Sequence, residues 1–286
     1  MKPLFAIIGC GKVGTALGKF LKNCGYIPFG VASKSLSSAK KTGEIIGTSF
    51  YTDNPLEITI KSDIVFITTP DIIISKLCDE ISNNKGFREG TFVFHCSGSI
   101  SSLALSSAKS CGAIIGSIHP LQSFASKENL TNPFEDIIIA IEGEKEAVER
   151  AKIISMDLGA RAINIETSAK TLYHAAAVIS SNYLVTIIDA AFQLLEASGI
   201  SKDDAFNVLC PLIKGTLSNI EKIGTINALT GPISRGDINT VERHLSEINS
   251  KLPQLTSLYK TLGLYTVEIA KKNIGSSKDR LKHLFQ

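Results

Sequence analysis

The sequence predicts an α/β protein: a parallel sheet wrapped by helices over residues 1–166, then an all-α C-terminal domain over residues 167–286. Three observations predict it. Short apolar runs alternate with helical patterns from residue 4 to about residue 165, as in a sheet built through crossover helices. After Glu166 the β-rich runs stop and helical periodicity continues to the C-terminus. With 286 residues, 44% hydrophobic and 20% charged, the chain can bury a sizeable core and is long enough for two domains.

The elements follow in order. Leu4 to Ile8 reads as the first strand, Gly11 to Cys24 as the helix after it, and Ile27 to Ala32 as the second strand. Ile64 to Thr68, Phe92 to His95 and Ile114 to Ile118 are continuous apolar runs, the form of strands covered on both faces. Ile137 to Ile141, a helix from Glu144 to Leu158, and Ala162 to Ile165 complete the sheet. The second domain opens with a long helix from about Ser168 to Ser198, stopped by Gly199 in the position of a C-cap glycine. A helix from Asp203 to Ile223, the loop ALTGPISRGD, a helix N-capped by Asp237 and a last helix after Pro253 finish the chain.

Composition excludes several classes. A net charge of +3 without any basic cluster argues against nucleic acid. Six cysteines with no CxxC pair suggest neither a metal site nor a disulfide framework, so reduced thiols and a cytoplasmic location are expected. Met1-Lys2-Pro3 leads straight into a strand and carries no signal-peptide pattern. Ala175 to Leu195 is apolar but contains Ser180, Ser181, Asn182, Asp189 and Gln193, which favours a buried soluble helix over a membrane span. Its apolarity predicts burial, in a homodimer formed through the helical domain or by packing within one chain.

Gly9, Gly11 and Gly14 fit G-x-G-x-x-G between an apolar strand and a helix, the context of a dinucleotide-binding, Rossmann-type turn. The glycines allow the tight turn, the approach of a pyrophosphate and close helix–strand packing, and the first helical N–H groups, from Lys12 and Val13, face the phosphates. An acid about 20 residues past the motif would mark NAD. Ser33, Lys34 and Ser35 stand there instead, two hydroxyls and an ammonium suited to a 2′-phosphate, so NADP(H) is the expected cofactor. Thr69 and Pro70 end one strand and Ser97 and Gly98 follow another, where the nicotinamide half would lie; Asp71 reads as the N-cap of the next helix.

Reducing a carbonyl or imine calls for a group that orients the substrate and a proton donor. His119, just past a strand stopped by Pro120, can donate to a carbonyl or tie a loop to the backbone. Lys170 and His174, four apart, share a helical face about 6 Å apart along the axis, and Ser181 and Asn182 lie further along the same helix. Arg235 offers a bidentate fork to a carboxylate. His244 reads as a satisfied core histidine.

HCSGSIS, GSIHPLQSF, LYHAAAVISSNYL and LTGPISRGDINTVERHL together resemble one family over nearly the whole chain. Its members are Rossmann-like proteins with a C-terminal helical domain of unknown function, related to pyrroline-5-carboxylate reductases and to the 6-phosphogluconate dehydrogenase superfamily. The resemblance implies an NADP-binding domain, a helical dimerisation domain and an active site in the cleft between them. Some members are alternative-type ketopantoate reductases, which makes 2-dehydropantoate the first substrate expected. The wider superfamily often carries a lysine and an asparagine four apart at the start of the first interdomain helix; Lys170 matches the lysine, and His174 stands in the second place. The expectation is an NADPH-dependent reductase of a small 2-oxo acid. In it Lys170 or His174 donates the proton, Asn182 and His119 orient the carbonyl, Ser181 contacts substrate and Arg235 holds the carboxylate. The alternatives are a cyclic-imine reductase and a non-catalytic NADP-binding sensor or scaffold.

Overall fold

The first apolar run forms β1 (Leu4–Ile8), and later strands add to both sides of it. The computed structural model describes residues 2–124, 126, 131–270, 274–275 and 277–286. They form two units, Met1–Ser181 and Asn182–Gln286. In the first, β1 is followed by α1 (Lys12–Asn23), β2 (Ile27–Ala32), α2 (Leu36–Ile46), β3 (Tyr51–Thr52), α3 (Leu56–Thr59), β4 (Ile64–Ile67) and α4 (Asp71–Asn83). Then come β5 (Phe92–His95), α5 (Ser106–Ser110), β6 (Ile114–Pro120), β7 (Ile138–Gly143), α6 (Lys145–Asp157), β8 (Arg161–Asn164) and α7 (Lys170–Ser180).

The sheet order is β3-β2-β1-β4-β5-β6-β7-β8, parallel throughout except for the antiparallel pair β6 and β7. Side chains alternate between the two faces of a strand. Phe5 and Ile7 therefore join one apolar layer with Leu17, Phe66 and Ile154, while Ala6 and Ile8 join the other with Val65, Ile74 and Ile115. Both faces are covered, as the continuous apolar runs required. The strand expected to end at Ile118 runs to Pro120, because β7 continues the ladder with His119 opposite Ala140 and Pro120 opposite Ile139. His119 is thus inside a strand rather than just past one.

The second unit holds α8 (Asn182–Ala197), α9 (Lys202–Ala228), α10 (Ile238–Lys251), α11 (Thr256–Ala270) and α12 (Ser277–Phe285). The single helix expected over 168–198 is two helices parted at Ser181, whose φ of −119° and ψ of −64° leave the helical range. The units part after Ser181 rather than after Glu166, because Lys170, which opens α7, is buried in the first unit. Gly199, at φ 97°, closes α8 as expected: its N–H bonds to Glu196 and that of Ile200 to Leu195. Asp237 caps α10 by accepting from the Thr240 N–H at 3.1 Å. Near the expected end of α9, Gly224 breaks the helical backbone at φ 73°. The sequence reading missed α12, which supplies Leu281 and Phe285 to a core with Ile238, Val241 and Val267. His244, expected in that core, is exposed and bonded to the Tyr259 hydroxyl at 2.8 Å.

None of residues 175–195 is buried, against the expectation. No residue of α8 is buried, and Leu184, Val185 and Ile187 are exposed, as are Phe206, Val208 and Leu212 on α9. By length and composition alone, Thr167–Ala197 is apolar enough to cross a membrane, at a mean hydropathy of 1.5.

Glycine packing gives a direct test of the sheet unit. A Cβ at Gly14 would lie 2.3 Å from both the Gly9 carbonyl and Thr68 Oγ1, whereas one at Gly215 on α9 would meet nothing within 4 Å. In urea titrations Gly14→Ala should cost about 1–3 kcal/mol by overpacking. Gly215→Ala should gain up to about 1 kcal/mol from helix propensity.

Candidate functional site

At the C-terminal edge of the sheet, the strand order reverses between β1 and β4, and ligands of open α/β sheets sit at such a reversal. Gly9 turns the chain there at φ 103°, with its Cβ position 2.7 Å from the Thr68 backbone carbon, so the two strand ends touch through bare backbone. Thr68 Oγ1 donates to the Gly9 carbonyl at 2.6 Å and fixes the turn. Gly11 stands at the N-cap of α1 with open space where a Cβ would point. The first amide to return to a helical carbonyl is that of Thr15, to Gly11 at 3.1 Å, which leaves the N–H groups of Lys12, Val13 and Gly14 for a ligand. Thr69 Oγ1 is buried beside this turn without a partner. An open glycine, free first-turn amides and an orphaned hydroxyl fit a dinucleotide pyrophosphate.

Beyond β2, the Ser33 amide donates to Thr52 at 3.1 Å and Lys34 is exposed. Ser35 caps α2, accepting from the Ser38 N–H at 3.4 Å. Pro70, not Asp71, occupies the N-cap of α4; Asp71 is its first residue and accepts from Ser99 Oγ at 2.5 Å.

A second group of residues gathers around Gly98. Its Cβ position lies 2.6 Å from His174 Nδ1 and 2.7 Å from His119 Nε2, so only glycine leaves these two ring nitrogens room to approach one spot. His119 Nδ1 pairs with the Tyr173 hydroxyl at 3.1 Å, and the His119 and His174 rings meet edge-on at 5.9 Å. His174 Nδ1 is buried without a partner. His95, fully buried at the end of β5, accepts the Ser97 N–H on Nδ1 at 3.2 Å, which puts its proton on Nε2. Burial first, and then the Lys170 charge, push both His95 and His119 down to about 4. Burial raises the Tyr173 phenol to about 12. All three are therefore neutral at neutral pH and exchange hydrogen bonds as neutral groups.

Beneath them lies an ion pair. Lys170 Nζ donates to Glu142 Oε1 at 3.2 Å and to Ser117 Oγ, with Lys170 1% and Glu142 2% exposed. Glu142 also accepts the Ser102 N–H at 2.7 Å, Ser102 Oγ at 2.8 Å and Thr167 Oγ1 at 3.1 Å. Burial works to raise the Glu142 carboxyl, but the Lys170 charge and the hydrogen bonds of Ser102 and Ser117 outweigh it and hold it below its ordinary range. Burial lowers the Lys170 ammonium, against the pull of Glu142.

Of the residues singled out from the sequence, the structure brings His119, His174, Gly98 and Lys170 together within the first unit. Lys170 turns inward to Glu142 rather than lining an open face with His174. Ser181 ends the first unit, exposed; Asn182 and Arg235 are exposed residues of the second. Sequence reasoning missed Glu142, Ser117, Ser102, Thr167, Tyr173 and His95. Glu142 did leave a signal, an acid directly after the apolar run Ile137–Ile141.

The low histidine pKa values carry a stability signature. Between the ordinary 6.5 and the folded value of about 4, the unfolded chain binds more protons than the folded one. The contribution of His95 and His119 is thus complete above about 6.5 and lost as pH falls toward 4. Urea midpoints should drop across that window, and less steeply in His119→Gln.

No curated protein matches the chain. The solved structures that share its fold include these three. A Bacteroides fragilis protein provisionally described as an NADP oxidoreductase is 24% identical, with 96% of this chain and 98% of that chain covered and a TM-score of 0.75. The 1-pyrroline-5-carboxylate reductase of Streptococcus pyogenes is 18% identical, with 99% of each chain covered and a TM-score of 0.64. A reductive aminase of Aspergillus terreus, solved with NADPH and ethyl-5-oxohexanoate, is 14% identical, with 100% of each chain covered and a TM-score of 0.69. Two family models match the chain, that of a Rossmann-like domain over residues 3–120 and that of a domain of unknown function (DUF2520) over residues 137–266.

Proposed function

We propose that this protein is an NADPH-dependent reductase of a small 2-oxo acid, with 2-dehydropantoate as the first compound to test. The observation that carries the reading is the approach of His119 Nε2 and His174 Nδ1 to one spot at Gly98, in the same unit as the open glycine turn. NADPH, when bound, supplies the hydride. Gly9, Gly11, Lys12, Val13 and Gly14 would hold its pyrophosphate, and Ser33, Lys34 and Ser35 its 2′-phosphate. Thr69, Pro70, Ser97 and Gly98 would border its nicotinamide half.

A carbonyl oxygen gains a proton as it is reduced, so the site needs hydrogen-bond donors near it. His119, paired with Tyr173, and His174 with its unpartnered nitrogen meet that need. Together with burial, the Lys170 charge serves by keeping His119 neutral rather than by giving up its own proton. Ser181, Asn182 and Arg235 are assigned to substrate on residue type alone, an amide and a hydroxyl for the carbonyl and a guanidinium for the carboxylate.

The second reading is reduction of a cyclic imine. It is favoured by the likeness to a pyrroline-5-carboxylate reductase and a reductive aminase. A protonated imine brings its own proton, and the half-buried His119–Tyr173 pair would then have no proton to give. A homodimer through α8 and α9 is part of the proposal, since their exposed leucines, valines and isoleucines form more apolar surface than a monomer ordinarily leaves to water. Cys24, Cys78, Cys96, Cys111 and Cys210 are free thiols, which supports a cytoplasmic setting.

Consumption of NADPH should follow addition of 2-dehydropantoate, exceed that with pyrroline-5-carboxylate or with NADH as donor, and fall about 100-fold or more in His174→Ala. Turnover with the imine alone would install the second reading. Tight NADPH binding with no turnover on either compound would leave a sensor or scaffold. In sedimentation the protein should run as a dimer, and Leu184→Glu with Leu212→Glu as a monomer.

A further inference from the structure

The Lys170–Glu142 pair does more than supply charge. Ser117 and Glu142 stand directly opposite one another in the antiparallel β6–β7 ladder, and Lys170 Nζ donates to both side chains. His119 follows Ser117 by two residues on β6; Tyr173 and His174 follow Lys170 by three and four on α7. Residues two apart on a strand share a face at a spacing of about 6.6 Å, and residues four apart on a helix share a face at about 6 Å. Because these repeats nearly coincide, α7 meets β6 through two rungs. Lys170 on Ser117 is the first, and Tyr173 with His174 at His119 is the second. A slip at the first rung displaces the second.

A buried ion pair seldom stabilises a fold more than apolar residues of equal volume would, but it does demand one geometry. Glu142 makes that demand on three segments at once. Its oxygens take the Ser102 N–H and Oγ after β5, Thr167 before α7, and Lys170 on α7 itself, at 2.7, 2.8, 3.1 and 3.2 Å. The same carboxylate therefore anchors the HCSGSIS loop that carries Gly98 and the helix that carries His174. Neither oxygen is left over for a substrate.

We propose that Glu142 is a positioning residue: by holding Lys170 against Ser117 it sets the register of α7 on β6, and so places Tyr173 and His174 against His119 and Gly98. The turnover arm of its test rests on the reductase reading, and the structural arm does not.

The test compares wild type with Glu142→Gln, Ser117→Ala and the double variant Glu142→Gln/Lys170→Met. It follows the His119 and His174 ring signals by NMR, NADPH affinity by fluorescence, and kcat and KM with 2-dehydropantoate. Glu142→Gln should displace both ring signals and lower kcat about tenfold or more, with NADPH affinity within about twofold of wild type, because β1 and β4 hold the glycine turn without it. Ser117→Ala, which keeps the ion pair, should move the same signals by less. The double variant removes the buried charge and should recover thermal stability while its ring signals stay displaced and its kcat stays low. Ring signals at wild-type positions in both Glu142→Gln and Ser117→Ala would overturn the proposal, as would a double variant with restored signals and kcat. Should Glu142→Gln fail to fold, the other two variants decide. A wild type that binds NADPH but turns nothing over would sink the reductase reading alone, and the ring signals would still judge Glu142.

Discussion

A carboxylate and an ammonium shut away from water together are the constraint on which the site depends. Each would be costly to bury alone, and together they are tolerated only if their remaining hydrogen-bonding capacity is met. Ser102, Ser117 and Thr167 meet it. Segments that are far apart in sequence are therefore fixed by one small polar cluster inside an otherwise apolar sheet unit. Its ammonium, after burial itself, helps keep His95 and His119 neutral.

The reversal of β7 makes this arrangement possible. In a wholly parallel sheet, residues near the C-terminal end of a strand gather at the ligand edge. Running against β6, β7 instead delivers Glu142, near its own end, opposite Ser117 in the middle of its neighbour. The acid thus sits below the histidines rather than among them, and acts on them through Lys170.

Much of the fold was legible because periodicity and glycine chemistry are local. Phe5 and Ile7 against Ala6 and Ile8 announce a strand covered on both faces, and Gly9, Gly11 and Gly14 announce the turn after it. Gly199 and Asp237 mark helix ends through bonds made within a few residues. The site was legible only in part. His119 and His174 stood out as residue types, yet their meeting depends on Gly98 being bare, a fact of three-dimensional packing. Glu142 was passed over because one acid after an apolar run looks like the end of a strand. Its partners lie 25 to 40 residues away in sequence, beyond any spacing rule. The break at Ser181 escaped for a different reason: apolar periodicity continues across it, and the helix parts where the first unit ends.

Gly98 has a consequence for how this chain can vary. Two imidazoles crowd the place where a side chain would begin, so a Cβ at that position is tolerated only after both rings have withdrawn. Any single change there is blocked by its neighbours, while loss of either ring relieves half the obstruction. Residues 98, 119 and 174 are therefore bound to drift as a set. In related sequences, a side chain at the position of Gly98 should be accompanied by smaller residues in place of both histidines.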